Sequence, residues 1–132
     1  MNYLGVVLAA LASMVLGWLW YGPLFGKMWI AAMKIDPKKG ADMKKNMGKS
    51  YFGMIISSLL TFFVLAKLME TFSITTMNGA LMLGLWIWLG FVLTVEFGSV
   101  LWEGRSSKVF FINSAYELLK ILVGAWVLTR FV

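Results

Sequence analysis

Long stretches without a charged side chain divide this chain. Three of them cover residues 1–26, 50–66 and 71–95, and a fourth over 109–129 is interrupted only by Glu117 and Lys120. A helix of about 20 apolar residues crosses a hydrocarbon layer about 30 Å thick. Water does not keep so much apolar chain soluble at this length, so the pattern predicts a membrane protein with four spanning helices.

Length and composition favour the same fold. Hydrophobic residues make up 61% and charged residues 14% of the 132 residues, whereas a soluble domain is nearer half apolar and a quarter charged. We therefore expect an all-α fold, a four-transmembrane-helix bundle that forms one integral membrane domain over residues 1–132. A short interfacial segment is expected after Pro23, because proline ends or kinks a helix. The predicted spans cover about residues 3–21, 50–69, 79–101 and 109–129.

Positive charge is concentrated in the connections after the first and third predicted spans. Seven lysines lie between Lys27 and Lys49, and the later connection adds Arg105 and Lys108. Because cytoplasmic loops are enriched in Lys and Arg, we predict both connections in the cytoplasm and both termini outside. The basic loop Lys34–Lys49 is expected to contact anionic lipid headgroups, and no nucleic-acid partner is expected.

Neither cysteine nor histidine occurs in the sequence. This excludes a zinc site of the usual type, haem ligation through His or Cys, a cysteine nucleophile and a histidine-based triad. No metal-ligand cluster and no nucleophile–base pair is apparent in the remaining residues. We therefore expect no enzyme activity, no cofactor and no metal site.

Small residues recur at every fourth position on the first and third predicted spans. They are Gly5, Ala9, Ser13 and Gly17 on the first span, and Gly90, Thr94 and Gly98 on the third. Small side chains at this spacing let a second helix approach closely. Two interpretations remain open, packing within one bundle or the interface of a homo-oligomer. A homo-oligomer is expected because four helices bury only part of their surface on each other.

Three ionisable residues fall inside the predicted spans, namely Glu96, Glu117 and Lys120. A charged side chain at the centre of a membrane helix costs about 2.5–3.5 kcal/mol on insertion scales, so these groups should face protein or water. Asn113, Tyr116, Glu117 and Lys120 share one helical face by their three- and four-residue spacing. Glu117 and Lys120 are placed to pair directly, and Asn113 is better placed for Glu96.

This polar face allows two functions. In the first, it forms an ion-coupled site or a pore lining in a transporter for a small ion or solute. In the second, it supplies an ion pair and hydrogen bonds that hold the bundle together, as in an accessory membrane protein without transport. The sequence leaves both interpretations open.

Two motifs resemble a known family. WYGPLFGKMW at residues 20–29 closes the first predicted span, and EGRSSK at residues 103–108 leads into FINSAY at residues 111–116 on the fourth. Together they resemble the small bacterial membrane proteins grouped as domain of unknown function 1761. The resemblance implies a membrane bundle. Because the family has no established activity, it assigns no functional residue.

Overall fold

The computed structural model describes residues 2–33 and 47–131, and nearly all of them are helical. A π-helical turn over Trp20–Leu24 continues the α-helix that precedes it, and a second one over Trp88–Val92 joins two α-helices into one continuous stretch. No strand occurs in the described residues, which confirms the all-α prediction. The helices are α1 (Tyr3–Leu19), α2 (Gly26–Met33), α3 (Met47–Thr71), α4 (Met77–Ile87), α5 (Leu93–Glu103) and α6 (Ser107–Thr129).

Four continuous helical stretches are long and apolar enough to cross a membrane. Each exceeds its predicted span by at most three residues at either end, and most of the predicted basic loop lies outside the described residues. We call these stretches the first to fourth long helices. They cover Tyr3–Leu24, Gly48–Thr71, Met77–Glu103 and Ser107–Thr129.

The fourth long helix, α6, lies at the centre of the bundle. It packs extensively against α1 on one side and against α4 on the other, and it contacts α2, α3 and α5 as well. As a result 44% of its apolar 18-residue segment is buried, whereas only 11% of the corresponding segment of the third long helix is buried. The polar face predicted on the fourth span is therefore carried by the most enclosed helix.

Side-chain caps and residues with a left-handed backbone set the helix ends. The Asn2 side chain accepts a hydrogen bond from the backbone N–H of Leu4, and Ser106 accepts one from Lys108 at the start of α6. Such caps satisfy donors that have no partner within the helix. The third long helix ends at Gly104, whose φ of 69° lies in the left-handed region that glycine adopts without strain.

Pro23 lies within the π-helical turn that carries the first long helix on to Leu24, beyond its predicted end near residue 21. Proline lacks a backbone N–H, so the ordinary helical ladder is interrupted at this residue. The backbone N–H of Phe25 instead donates to the Trp20 carbonyl five residues earlier, at 2.9 Å, which closes a π-helical turn. A new helix, α2, then begins at Gly26 and packs against α6.

Candidate functional site

The polar face of α6 is turned into the bundle. Tyr116 and Lys120 are only 4% and 6% exposed, and Gly124 is buried one turn further on. Asn113 and Glu117 are half-buried. The structure therefore places all of these residues away from a fully lipid-exposed surface.

Lys120 is paired with Glu117 inside the bundle. The Lys120 Nζ lies 3.5 Å from Glu117 Oε2, and the two side chains are 8% and 29% exposed. Lys120 is about 20 Å along α6 from Ser107, at 1.5 Å per residue, which is near the middle of a bilayer-spanning helix. An enclosed ammonium at this depth needs a nearby negative charge, and Glu117 supplies it.

Asn113 and Tyr116 bind to the first long helix. The Tyr21 hydroxyl donates to Asn113 Oδ1 at 2.6 Å, and the Tyr116 hydroxyl donates to the Ser13 carbonyl at 3.1 Å. The Tyr21 and Tyr116 rings also meet edge to face at 5.2 Å. Asn113 thus takes Tyr21 as its partner. Its position along the fourth predicted span had instead indicated Glu96.

Glu96 lies on α5, half-buried, and its charge interacts with that of Glu117. It forms no ion pair with another of the described residues. Arg105, the cation nearest to it along the chain, instead contacts Glu103 at 3.5 Å. The site thus contains two carboxylates and the single ammonium of Lys120.

The two stripes of small residues have different environments. On α1 the stripe packs within the chain, since a Cβ added to Gly5 would meet the Phe131 ring at 3.1 Å and one added to Gly17 would meet the Tyr116 hydroxyl at 2.8 Å. The interpretation of this stripe as packing within one bundle therefore agrees with the structure. Ala9 and Ser13 between them are buried.

On the third long helix the packed small residues are not the predicted ones. Gly90 and Thr94 are exposed, and a Cβ added to Gly90 or Gly98 would meet no described atom within 4 Å. The stripe that faces α6 is Ala80 and Gly84, both buried, and a Cβ on Gly84 would lie 2.9 Å from the Ile121 side chain. Which face of an apolar helix turns inward is decided by its neighbours, because lipid and protein are equally apolar.

Sequence reasoning missed three aromatic residues that hold α6. The Trp20 indole N–H donates to the Ile112 carbonyl at 3.0 Å, and the Trp88 indole N–H donates to the Ser114 carbonyl at 2.9 Å. Tyr21 binds Asn113 between them. Three consecutive residues of α6 therefore accept hydrogen bonds from aromatic side chains of the other long helices.

A repeated sequence motif was the signal for these residues. WLWYGPL at residues 18–24 and WIWLGFV at residues 86–92 share two tryptophans, a glycine and two aliphatic residues at matching positions. In both copies the second tryptophan begins a π-helical turn and points to α6. The first tryptophan of each copy, Trp18 or Trp86, is 65% or 64% exposed.

Two buried polar atoms, Trp29 Nε1 on α2 and Ser114 Oγ on α6, have no hydrogen-bond partner among the described residues. The Trp29 ring packs edge to face on Tyr21 at 5.6 Å. Within the described part of the chain, no three acidic, histidine or cysteine side chains lie close enough to hold a metal ion. The site is therefore built from aromatic rings, hydroxyls, one amide, two carboxylates and one ammonium.

The fold and the site define a helical bundle whose four long helices can each cross a membrane and whose interior holds a polar, aromatic-lined face. The family model described as a protein of unknown function (DUF1761) matches residues 4–129, so the chain belongs to this family. This confirms the resemblance carried by the two sequence motifs. Neither a curated protein nor a solved structure matches the chain.

Proposed function

We propose that this chain is an integral membrane protein that moves a small ion or solute across the bilayer through Glu96, Glu117 and Lys120. The observation that supports this function is the charge balance of the site. Lys120 contacts Glu117 at 3.5 Å, whereas Glu96 makes no direct ion pair among the described residues. Arg105 acts on Glu96 but makes its ion pair with Glu103, so within the polar face one ammonium serves two carboxylates.

An uncompensated carboxylate in a low-dielectric environment is costly, so it takes up a proton or a small cation. The Glu117 side chain keeps 29% of its surface exposed, whereas Lys120 is almost enclosed at 8%. Glu96 and Glu117 repel each other, so Lys120 cannot neutralise both, and Glu117 is the partner of Lys120 that is exposed enough to exchange a proton or cation with water. Lys120 is the fixed positive charge that stabilises the carboxylate between exchanges.

Flux through proteoliposomes tests this proposal. Glu117→Gln keeps the shape of the side chain and removes its charge, so we expect flux of protons, Na⁺ or K⁺ to fall to the level of empty liposomes. Glu70→Gln is the matched control, because Glu70 is an exposed carboxylate at the end of α3 and lies outside the polar face of α6. Gel filtration shows whether both variants are folded. If they are, and the Glu117 variant keeps wild-type flux, the proposed role of Glu117 is contradicted.

A second function, that of a structural or accessory membrane protein without transport, is supported by the partners of the same face. Asn113, Tyr116 and Lys120 all make a hydrogen bond or an ion pair within the chain. Three cavities of the described chain, which lie beside Asn2, Gly17 and Thr61, are lined neither by Glu117 nor by Lys120. Wild-type protein that moves no tested ion, combined with lower thermal stability of Glu117→Gln, would favour this function.

We also propose that the protein is a homo-oligomer in a bacterial inner membrane, with its basic loop on the cytoplasmic side against anionic lipid headgroups. The excess of Lys and Arg in the connections after the first and third long helices supports this orientation. The chain has no cysteine, so a single Asn2→Cys variant tests it directly. A membrane-impermeant maleimide should label this variant from outside intact cells, and complete protection would contradict the orientation.

A further inference from the structure

A cavity of about 270 Å³ lies between the first and second long helices, at the end where the basic loop joins them. This volume is slightly below the roughly 300 Å³ at which pockets for drug-sized ligands begin, so it suits a small ligand. Aromatic rings and thioethers supply its side-chain walls. They belong to Met14, Trp18, Tyr21, Tyr51, Met54 and Tyr116.

Two of the tyrosines present no hydrogen-bond donor to this aromatic cavity. A phenol has one proton to donate, and Tyr21 donates its proton to Asn113 Oδ1 at 2.6 Å. Tyr116 donates its proton to the Ser13 carbonyl at 3.1 Å. What both side chains offer to the cavity is therefore electron-rich, namely oxygen lone pairs and ring π-systems, which favours a cation over an anion.

The packing around these tyrosines holds the walls in place. Tyr21 lies between Tyr116 and Trp29, with edge-to-face ring distances of 5.2 Å and 5.6 Å. Gly17 gives Tyr116 the room to reach Ser13, since a Cβ at Gly17 would lie 2.8 Å from the phenolic oxygen. Ligand binding to walls that are already positioned costs less ordering entropy than binding to mobile ones.

Charge and desolvation point to one class of cation. Glu117 follows Tyr116 in sequence, and its charge acts on both Tyr21 and Tyr116. An inorganic ion would have to give up strongly bound water for rings and thioethers, whereas an alkylated ammonium carries apolar groups that bind well to such walls. We propose that the aromatic cavity binds a small quaternary ammonium ion. This inference rests on the proposed transport for its role, and it names the substrate class.

Binding to the purified protein in detergent tests the cavity without any flux. Titration with tetramethylammonium, followed by tryptophan fluorescence or calorimetry, should saturate, whereas tert-butanol, a neutral alcohol of similar size and shape, should bind much more weakly. Tyr51→Leu removes a half-exposed ring from the wall and should weaken binding about three- to tenfold. Tyr3→Leu is the matched control, because Tyr3 is exposed and does not line this cavity.

Three results would overturn the inference. They are no saturable binding of tetramethylammonium, equal affinity for the neutral alcohol, and the same affinity for the Tyr51 and Tyr3 variants. Equal affinity for the alcohol would show that the cavity is an apolar groove for lipid chains. Ion flux that depends on Glu117 but not on tetramethylammonium binding would leave the proposed transport standing while this substrate class failed.

Discussion

At the residue scale, Gly124 is the position where a single methyl group has the clearest consequence. It is buried on α6, and a Cβ added there would lie 2.6 Å from Cδ1 of the Phe62 ring, which is 0% exposed. Neither the ring nor the helix has room to move, so Gly124→Ala should lower the free energy of unfolding by about 1–3 kcal/mol, as overpacked cores do. Thermal unfolding in detergent, followed by circular dichroism, measures this change.

Gly53→Ala provides the matched control on the second long helix. A Cβ at Gly53 would meet no described atom within 4 Å. Alanine is better than glycine in a helix by about 0.5–1 kcal/mol, so this variant should unfold at or slightly above the wild-type temperature. If Gly124→Ala were as stable as Gly53→Ala, this result would contradict the close packing of Phe62 against α6.

At the scale of helices, the two tryptophan-led π-helical turns hold α6 from both sides. Their acceptors, the carbonyls of Ile112 and Ser114, belong to residues two apart, which lie about 200° apart around the helix. We expect Trp20→Phe and Trp88→Phe each to cost about 0.5–2 kcal/mol, because each change removes an indole N–H and leaves a gap in a partly buried contact. Denaturation in detergent measures the loss.

The repeated motif contains its own controls. Trp18→Phe and Trp86→Phe make the same chemical change two residues earlier, at side chains that are 65% and 64% exposed. These variants should change the unfolding free energy by less than about 0.5 kcal/mol, as surface substitutions usually do. Equal losses at all four tryptophans would mean that the hydrogen bonds to α6 do not position it.

At the scale of the whole molecule, the third long helix is left largely uncovered. Only 11% of its apolar 18-residue segment is buried, and the small residues Gly90 and Thr94 lie on its exposed surface. If the proposed homo-oligomer forms through this surface, Thr94→Cys in the cysteine-free chain should form disulfide-linked dimers in oxidised membranes. Leu60→Cys, on a 62%-exposed position of the second long helix, should form few. Similar yields at both positions would contradict this interface.

The sequence alone determined the features that depend on local spacing. Four apolar stretches, three of them without a charged residue, predicted the all-α bundle, and the helical repeat placed Tyr116, Glu117 and Lys120 on one face. The pairing of Glu117 with Lys120 followed because residues three apart on one helix are neighbours whatever surrounds them. The matching tryptophan motifs were also present in the sequence, but their spacing gave no sign of a shared partner.

Only the tertiary structure decided which helices meet and through which faces. Tyr21 reaches Asn113 across ninety-two positions of sequence, and the inward stripe of the third long helix is Ala80 and Gly84 instead of Gly90 and Gly98. In water, an apolar face would identify the buried side of each helix. On a helix that crosses lipid, the outward face is apolar too, so the choice depends on close packing and on hydrogen bonds between distant residues.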